Sequence, residues 1–184
     1  EISDKETGTF IDNKDAFDRF LYAIEPLRKE GRLTAILAQF PYSFHATKDN
    51  YTYLLVFKER LRDIPLVVEF RNYYWHSERS LTFLKENHIG YCVVDEPKIK
   101  GLMPYNSKAT TDLGYFRFHG RNTNWFDASA AERYDYLYTT EELRSFIPGI
   151  KNISSITGKT IVMFNNCHAG KSVKNAIDML NLIS

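Results

Sequence analysis

Five short apolar runs alternate with segments of helical spacing along this chain, and this alternation constrains its fold more than any other feature. Strands that are buried on both faces of a parallel sheet have this continuous apolar character. Parallel strands also need long crossover connections, which the helical segments can supply. The sequence therefore predicts an α/β fold with a parallel sheet, its strands at residues 33–40, 66–71, 89–95, 115–119 and 160–164. An open doubly wound sheet and an arc of a larger barrel share this repeating unit, so the pattern leaves both open.

The connecting helices are predicted from apolar spacing and capping residues. Apolar side chains recur every three to four residues in segments 15–29, 47–62 and 77–87, and Ser77 is a suitable N-cap for the third. Thr139 and Glu142 form a capping box, which begins a helix that Pro148 and Gly149 are expected to end near Ile147. A last helix carries apolar residues at i, i+3, i+4 and i+7, namely Val173, Ala176, Ile177 and Leu180.

Composition and charge exclude several classes of protein. The 184 residues are 43% hydrophobic and 26% charged, which is typical of one globular domain spanning residues 1–184. Lys and Arg number 24 against 23 Asp and Glu, so a generally basic nucleic-acid binder is not expected. No apolar run reaches the ~20 residues that a membrane span requires. Cys92 and Cys167 lie in apolar runs that predict burial, which favours a reducing compartment and hence the cytoplasm.

Polar side chains cluster where the predicted strands end. Because alternate residues of a strand share a face, Glu69 and Arg71 lie on one side of the second strand, and Arg117 and His119 share one side of the fourth. An ionised group within a sheet costs several kcal/mol unless it is paired. A Glu69–Arg117 ion pair would satisfy both groups without any catalytic role, and this structural explanation stays open.

Several motifs in one order resemble the domain of unknown function 72 family, also called YecE-like. They are Gln39-Phe40-Pro41, Val68-Glu69-Phe70-Arg71 with Trp75, Asp95-Glu96-Pro97, Tyr115 to Arg121, Tyr134-Asp135-Tyr136 before Glu141-Glu142-Leu143, and Phe164-Asn165-Asn166 with His168 and Gly170. The resemblance covers the chain from about Arg32 onward. One departure is Cys167-His168-Ala169-Gly170, where relatives usually carry a His-Pro-Gly-Gly type sequence.

The resemblance implies a TIM-type (β/α)8 barrel, of which the strands visible here would be the last five. Members of the family begin with a Gly/Ser/Trp-bearing strand and a strand with an Asn-Ser-Thr-Phe-Tyr type motif, and residues 1–10 match neither. We therefore expect the first three strands of the barrel to be missing from this chain.

The strand ends predict a polar pocket at the C-terminal mouth of such a barrel, and the leading hypothesis is an enzyme that acts on an anionic or polar small molecule. Hydrolysis of a phosphoester or glycosidic bond would suit this residue set. The acid–base or catalytic candidates are Glu69, Asp95 and His119. Candidates for holding the substrate are Gln39, Arg71, Arg117, Arg121, Tyr136, Asn165, Asn166 and His168, with the arginines fixing an anionic group.

No motif assigns a cofactor, although carboxylates and imidazoles such as Glu69, Asp95, His119 and His168 are chemically able to hold a divalent metal. The alternative to an enzyme is a non-catalytic module that binds a metabolite, or a nucleic-acid end, through the arginines. The expected partner is an anionic small molecule, and nucleic acid and membrane are not expected. The sequence makes no prediction about the oligomeric state.

Overall fold

The computed structural model describes residues 13–123, 132 and 134–184. Residues 1–10, on which the expectation about the first barrel strands depends, lie outside the described part. Five parallel strands form one sheet in the order β1-β2-β3-β4-β5, with helices alongside. This confirms the predicted α/β class and parallel sheet. The strands are β1 (Ile36–Gln39), β2 (Leu66–Glu69), β3 (Gly90–Asp95), β4 (Leu113–Phe118) and β5 (Lys159–Phe164).

Five α-helices are described. They are α1 (Lys14–Lys29), α2 (Lys48–Arg60), α3 (Glu78–Glu86), α4 (Thr140–Ser154) and α5 (Lys171–Ile183), with short 3-10 turns at Tyr73–Trp75 and His168–Gly170. The Ser77 side chain accepts a hydrogen bond from Ser80 N and caps α3, as predicted. Thr139 and Glu142 complete both halves of the predicted capping box at the start of α4. No helix in the described part of the chain is both long and apolar enough to cross a membrane.

The strand order has no reversal, since each strand pairs with the next one along the chain. Right-handed crossovers between such strands place their helices on one side of the sheet. Strand β4 shows the result, because Phe116 and Phe118 are buried while Tyr115 and Arg117 on the other face are only partly covered. We call the face that carries Arg117 the inner face.

An aromatic stack fixes the C-terminal ends of β1 and β2. The Phe70 and Trp75 rings lie 4.1 Å apart and nearly parallel, and Phe44 stacks on Trp75 at 5.5 Å. Trp75 Nε1 donates to the Phe44 carbonyl at 2.7 Å, so the buried indole has its hydrogen-bond partner. Because Phe70 follows Glu69 directly, this packing holds the strand end from which Glu69 points to the opposite, inner face.

Helix α4 does not end at Ile147, so the predicted stop at Pro148 and Gly149 is wrong. The helix continues to Ser154 with Pro148 inside it, because Phe146, Ile150 and Ile153 form a buried face on both sides of the proline. Gly149 serves a packing purpose instead. A Cβ at that position would lie 2.6 Å from Tyr105 Oη and 2.9 Å from Ser107 Cβ.

Residues 96–112, between β3 and β4, make the crossover without a helix, and no helix was predicted there. Two other features differ from expectation. The stripe on α5 faces outward, with Val173 62% and Leu180 66% exposed, because the helix packs inward through Asn175 and Met179. Cys92 is buried as predicted, whereas Cys167 is exposed because β5 ends at Phe164.

Candidate functional site

Four side chains on the inner face form a closed ring of polar contacts. Arg117 Nη1 donates to Glu69 Oε2 at 2.5 Å, and Arg117 Nη2 donates to Asn165 Oδ1 at 2.9 Å. Asn165 Nδ2 lies 3.1 Å from His119 Nδ1, and His119 Nε2 lies 3.1 Å from Glu69 Oε1. These partners favour the His119 tautomer that carries its proton on Nε2. Gln39 Oε1 joins from β1 by accepting from Arg117 Nη1 at 2.9 Å.

A second arginine extends this ring toward the end of β3. Arg71 Nη2 lies 2.7 Å from Glu69 Oε1, and Arg71 Nη1 donates to Glu96 Oε2 at 2.7 Å. Glu96 Oε1 accepts from Met103 N at 2.9 Å, which ties the β3–β4 loop to the cluster. Sequence reasoning missed Glu96. The two-residue period of a strand could have identified it. Val94 pairs in register with Arg117 on the inner face, and Glu96, two residues further along, lies on the same face.

Burial and charge set the protonation states of the cluster. Burial alone would raise the pKa of Glu69, but the hydrogen bond from His119 and the charges of Arg71 and Arg117 outweigh it and lower that pKa to about 2. Burial lowers the pKa of His119 to about 4, and the arginine charges act in the same direction. Glu69 is therefore ionised and His119 neutral at pH 7. Burial raises the pKa of Glu96 to about 7 despite the opposing Arg71 charge.

Asp95 and Arg121 form a separate cluster on the helix side of the sheet. Asp95 pairs in register with Phe118, so it faces away from Glu69. Arg121 Nη2 lies 2.8 Å from Asp95 Oδ1, and Arg121 Nη1 lies 3.1 Å from Glu142 Oε1 on α4. Tyr138 Oη donates to Asp95 Oδ2 at 2.7 Å, and Tyr136 Oη donates to Glu142 Oε1 at 2.7 Å. Sequence reasoning placed Asp95, Arg121 and Tyr136 in one pocket with Glu69, and the structure divides them between two clusters.

The two remaining candidates lie elsewhere. Asn166 is fully buried, and its Nδ2 donates to the Tyr136 carbonyl and to Asn175 Oδ1, both at 2.8 Å. It therefore anchors α5 to the loop before α4. His168 is exposed in the 3-10 turn that precedes α5. Within residues 13–123, 132 and 134–184, no three His, Cys, Asp or Glu side chains are placed to hold a metal ion.

The family of the chain follows from comparison with known proteins. A family model described as "Protein of unknown function DUF72" matches residues 2–184. The UPF0759 protein YunF of Bacillus subtilis (strain 168) is 32% identical over 186 residues, covering 95% of this chain and 66% of YunF. The chain belongs to the DUF72 family, which confirms the resemblance drawn from its strand-end motifs.

Solved structures show the same relationship. The crystal structure of a DUF72 family protein from Thermotoga maritima MSB8 matches with a TM-score of 0.91 and 44% identity, over 94% of this chain and 66% of that one. One from Enterococcus faecalis V583 matches with a TM-score of 0.88 and 30% identity, over 98% of this chain and 69% of that one. The chain thus spans about two thirds of the length of these relatives.

Replacing Glu69 by Gln is expected to destabilise the protein by about 3–5 kcal/mol, because the buried Arg71 and the partly buried Arg117 lose their shared counter-charge. Adding Arg117→Met to Glu69→Gln should recover part of this loss, since one unpaired charge is then removed. Urea unfolding measures both effects. Asp178→Asn, which breaks the exposed Lys174–Asp178 pair, is the control and should cost less than about 1 kcal/mol. A Glu69→Gln variant as stable as this control would contradict the account of the cluster.

His119 should make the protein sensitive to acid. The pKa of His119 is lowered from 6.5 to about 4 in the folded protein. As the pH falls through this window, the unfolded chain binds a proton at His119 that the folded protein does not bind, so the stability of the protein decreases. The loss is roughly 3 kcal/mol at ~1.4 kcal/mol per pKa unit. The stability advantage of the wild type over His119→Asn should shrink by that amount between pH 7 and pH 4, measured by urea unfolding. Exposed His88→Asn is the control, and equal slopes for wild type and His119→Asn would refute the prediction.

Proposed function

We propose that the inner-face cluster binds a small anionic molecule at the C-terminal end of the sheet, with Arg117 as the main contact. The supporting observation is the way Arg117 is held. Its side chain is 15% exposed, while the Glu69 carboxylate that pairs with it is completely buried. Gln39, Glu69 and Asn165, from β1, β2 and the residue after β5, fix the guanidinium plane from three directions. A fixed guanidinium binds an anion without the entropy loss of ordering a free side chain.

Donor count and charge balance both favour an anion. The three hydrogen bonds of Arg117 use three of its five N–H groups, which leaves the Nε–H and one Nη2–H for a ligand. Gln39 is exposed, and its side-chain carbonyl oxygen accepts from Arg117. The two amide N–H groups of Gln39 are therefore further donors for a ligand. Two guanidiniums face one fully ionised carboxylate, Glu69, and one carboxyl, Glu96, with a pKa near neutrality. The cluster therefore has a positive surplus at pH 7.

Hydrolysis of a bound phosphoester or glycoside is the second candidate, and Glu96 is the observation that favours it. A general acid or base works best when its pKa lies near the working pH. The lowered pKa values of Glu69 and His119 suit these residues to holding Arg117 in place. Glu96, with a pKa of about 7, suits acid–base catalysis, a role that the sequence-based hypothesis had given to Glu69 and Asp95.

We further propose that the five strands are an arc of a (β/α)8 barrel. Strands β1 and β4 are three strand spacings apart, about 14 Å in a flat sheet. The hydrogen bond between Arg117 and Gln39 across that distance supports a curved inner face. Apolar side chains are exposed at both ends of the arc, including Phe20 on α1, Met163 on β5 and Ile177 on α5. Neighbouring βα units would cover them.

A crystal structure of the full gene product tests this architecture. We expect further strands to be hydrogen-bonded to the free edges of both β1 and β5, since closure of a barrel removes both edges. A sheet that leaves either edge unpaired would refute the barrel.

Titration with inorganic phosphate by calorimetry tests binding, and release of p-nitrophenolate from p-nitrophenyl phosphate, followed by absorbance, tests turnover. Arg117→Lys keeps a positive charge beside Glu69 but loses the planar fork, so the affinity should fall about tenfold. Arg144→Lys, an exposed site on α4, is the matched control and should bind like the wild type. Absence of binding, or equal affinity in Arg117→Lys, would refute the proposed site. Release of p-nitrophenolate that disappears in Glu96→Gln would favour a hydrolase, and binding without turnover would favour a binding module.

A further inference from the structure

A cavity of about 1050 Å³ lies over the helix-free β3–β4 loop, apart from Gln39, Arg117 and Asn165 of the inner-face cluster. Its volume is that of a typical small-molecule site. Leu102, Met103 and Phe146 are buried residues that contribute apolar walls. Tyr73 and Tyr74 lie at its exposed side, with 51% and 69% of their surface accessible. An apolar body, preferably flat so that it can stack on tyrosine rings, would fit such walls.

The polar groups in the cavity wall are not equally available to a ligand. Both oxygens of Asp95 accept hydrogen bonds, from Arg121 and from Tyr138. Both oxygens of Glu96 are likewise used, by Arg71 and by Met103 N. Arg121 is committed to Asp95 and Glu142. The carboxylates of the wall are therefore neutralised within the protein and do not call for a cationic ligand.

Two lysines give the cavity wall a positive charge that the carboxylates of the wall do not neutralise. Lys98 and Lys100 line the cavity on exposed positions of the β3–β4 loop. Neither ammonium forms an ion pair with a carboxylate of the described residues. An anionic head group would complement the lysines.

We propose that this cavity is a second binding site, which takes an organic anion with a flat apolar body. The body lies between the tyrosine rings and the Met103–Phe146 wall, and the anionic head faces Lys98 and Lys100. This site differs from the anion site proposed at Arg117 in its charged groups, because Lys98 and Lys100 line the cavity and Gln39, Arg117 and Asn165 do not. Glu96 alone belongs to both, with one oxygen bound to Arg71 and the other to the cavity loop.

The test uses 2-naphthoate, an anion with a flat apolar body, and its neutral analogue 2-naphthalenemethanol, both titrated by calorimetry. Lys98→Ala/Lys100→Ala should weaken 2-naphthoate about tenfold and leave 2-naphthalenemethanol unchanged, since only the head group is affected. Lys151→Ala/Lys174→Ala, two exposed lysines outside the cavity, is the matched control and should change neither affinity. Ser145→Trp, at an exposed position of the cavity wall, should block both compounds.

Three results would overturn the second site. They are absence of 2-naphthoate binding, equal affinity in wild type and Lys98→Ala/Lys100→Ala, and loss of 2-naphthoate binding in Arg117→Lys, which would move the anion to the inner-face cluster. Because both lysines are exposed, their variant should fold even if Ser145→Trp does not. A roughly tenfold weaker binding of inorganic phosphate in Arg117→Lys, with 2-naphthoate binding unchanged, would show two independent sites.

Discussion

The buried Glu69 carboxylate is the interaction on which the polar centre of this protein depends. Removing a carboxylate from water costs several kcal/mol, and two guanidiniums and an imidazole N–H repay that cost here. The same contacts fix Arg117 and connect Arg71 to Glu96, while burial keeps His119 neutral by lowering its pKa. One buried charge therefore determines where the exposed donors of the cluster lie.

The chemical type of a polar residue does not by itself identify its role in this cluster. Glu69 and His119 have side chains that often act as acids and bases, yet both are completely buried and their pKa values are far below neutrality. Their contacts make them supports for Arg117. Glu96 is one residue beyond β3 and has the opposite pKa shift, because burial raises its pKa and, among the described residues, Arg71 is the one side chain that opposes this, whereas His119, Arg71 and Arg117 all lower the pKa of Glu69. The set of hydrogen-bonding and charged partners, more than depth in the fold, decides which carboxyl can exchange a proton near neutral pH.

Much of the fold could be predicted from the sequence, because strand and helix periodicity and capping residues such as Ser77 and Thr139 are local signals. The Glu69–Arg117 pair was also predictable from the two-residue period within β2 and β4. It was harder to predict which of Asp95 and Glu96 lies on the same face as Arg71 and Arg117, because β3 ends between them. The outward face of α5 and the passage of α4 through Pro148 depend on what packs against each helix, which local sequence does not encode.

The contact between Gln39 and Arg117 has a consequence for how the protein folds. These residues are 78 positions apart in the chain, and Glu69 and Arg117 are 48 apart. Contacts of such long range form only after large loops have closed, which slows folding. Arg117 and His119 reach Glu69 only when β2 and β4 have come together. We therefore expect assembly of these two strands to be all-or-none, since a sheet that lacks β4 would bury Glu69 without either partner.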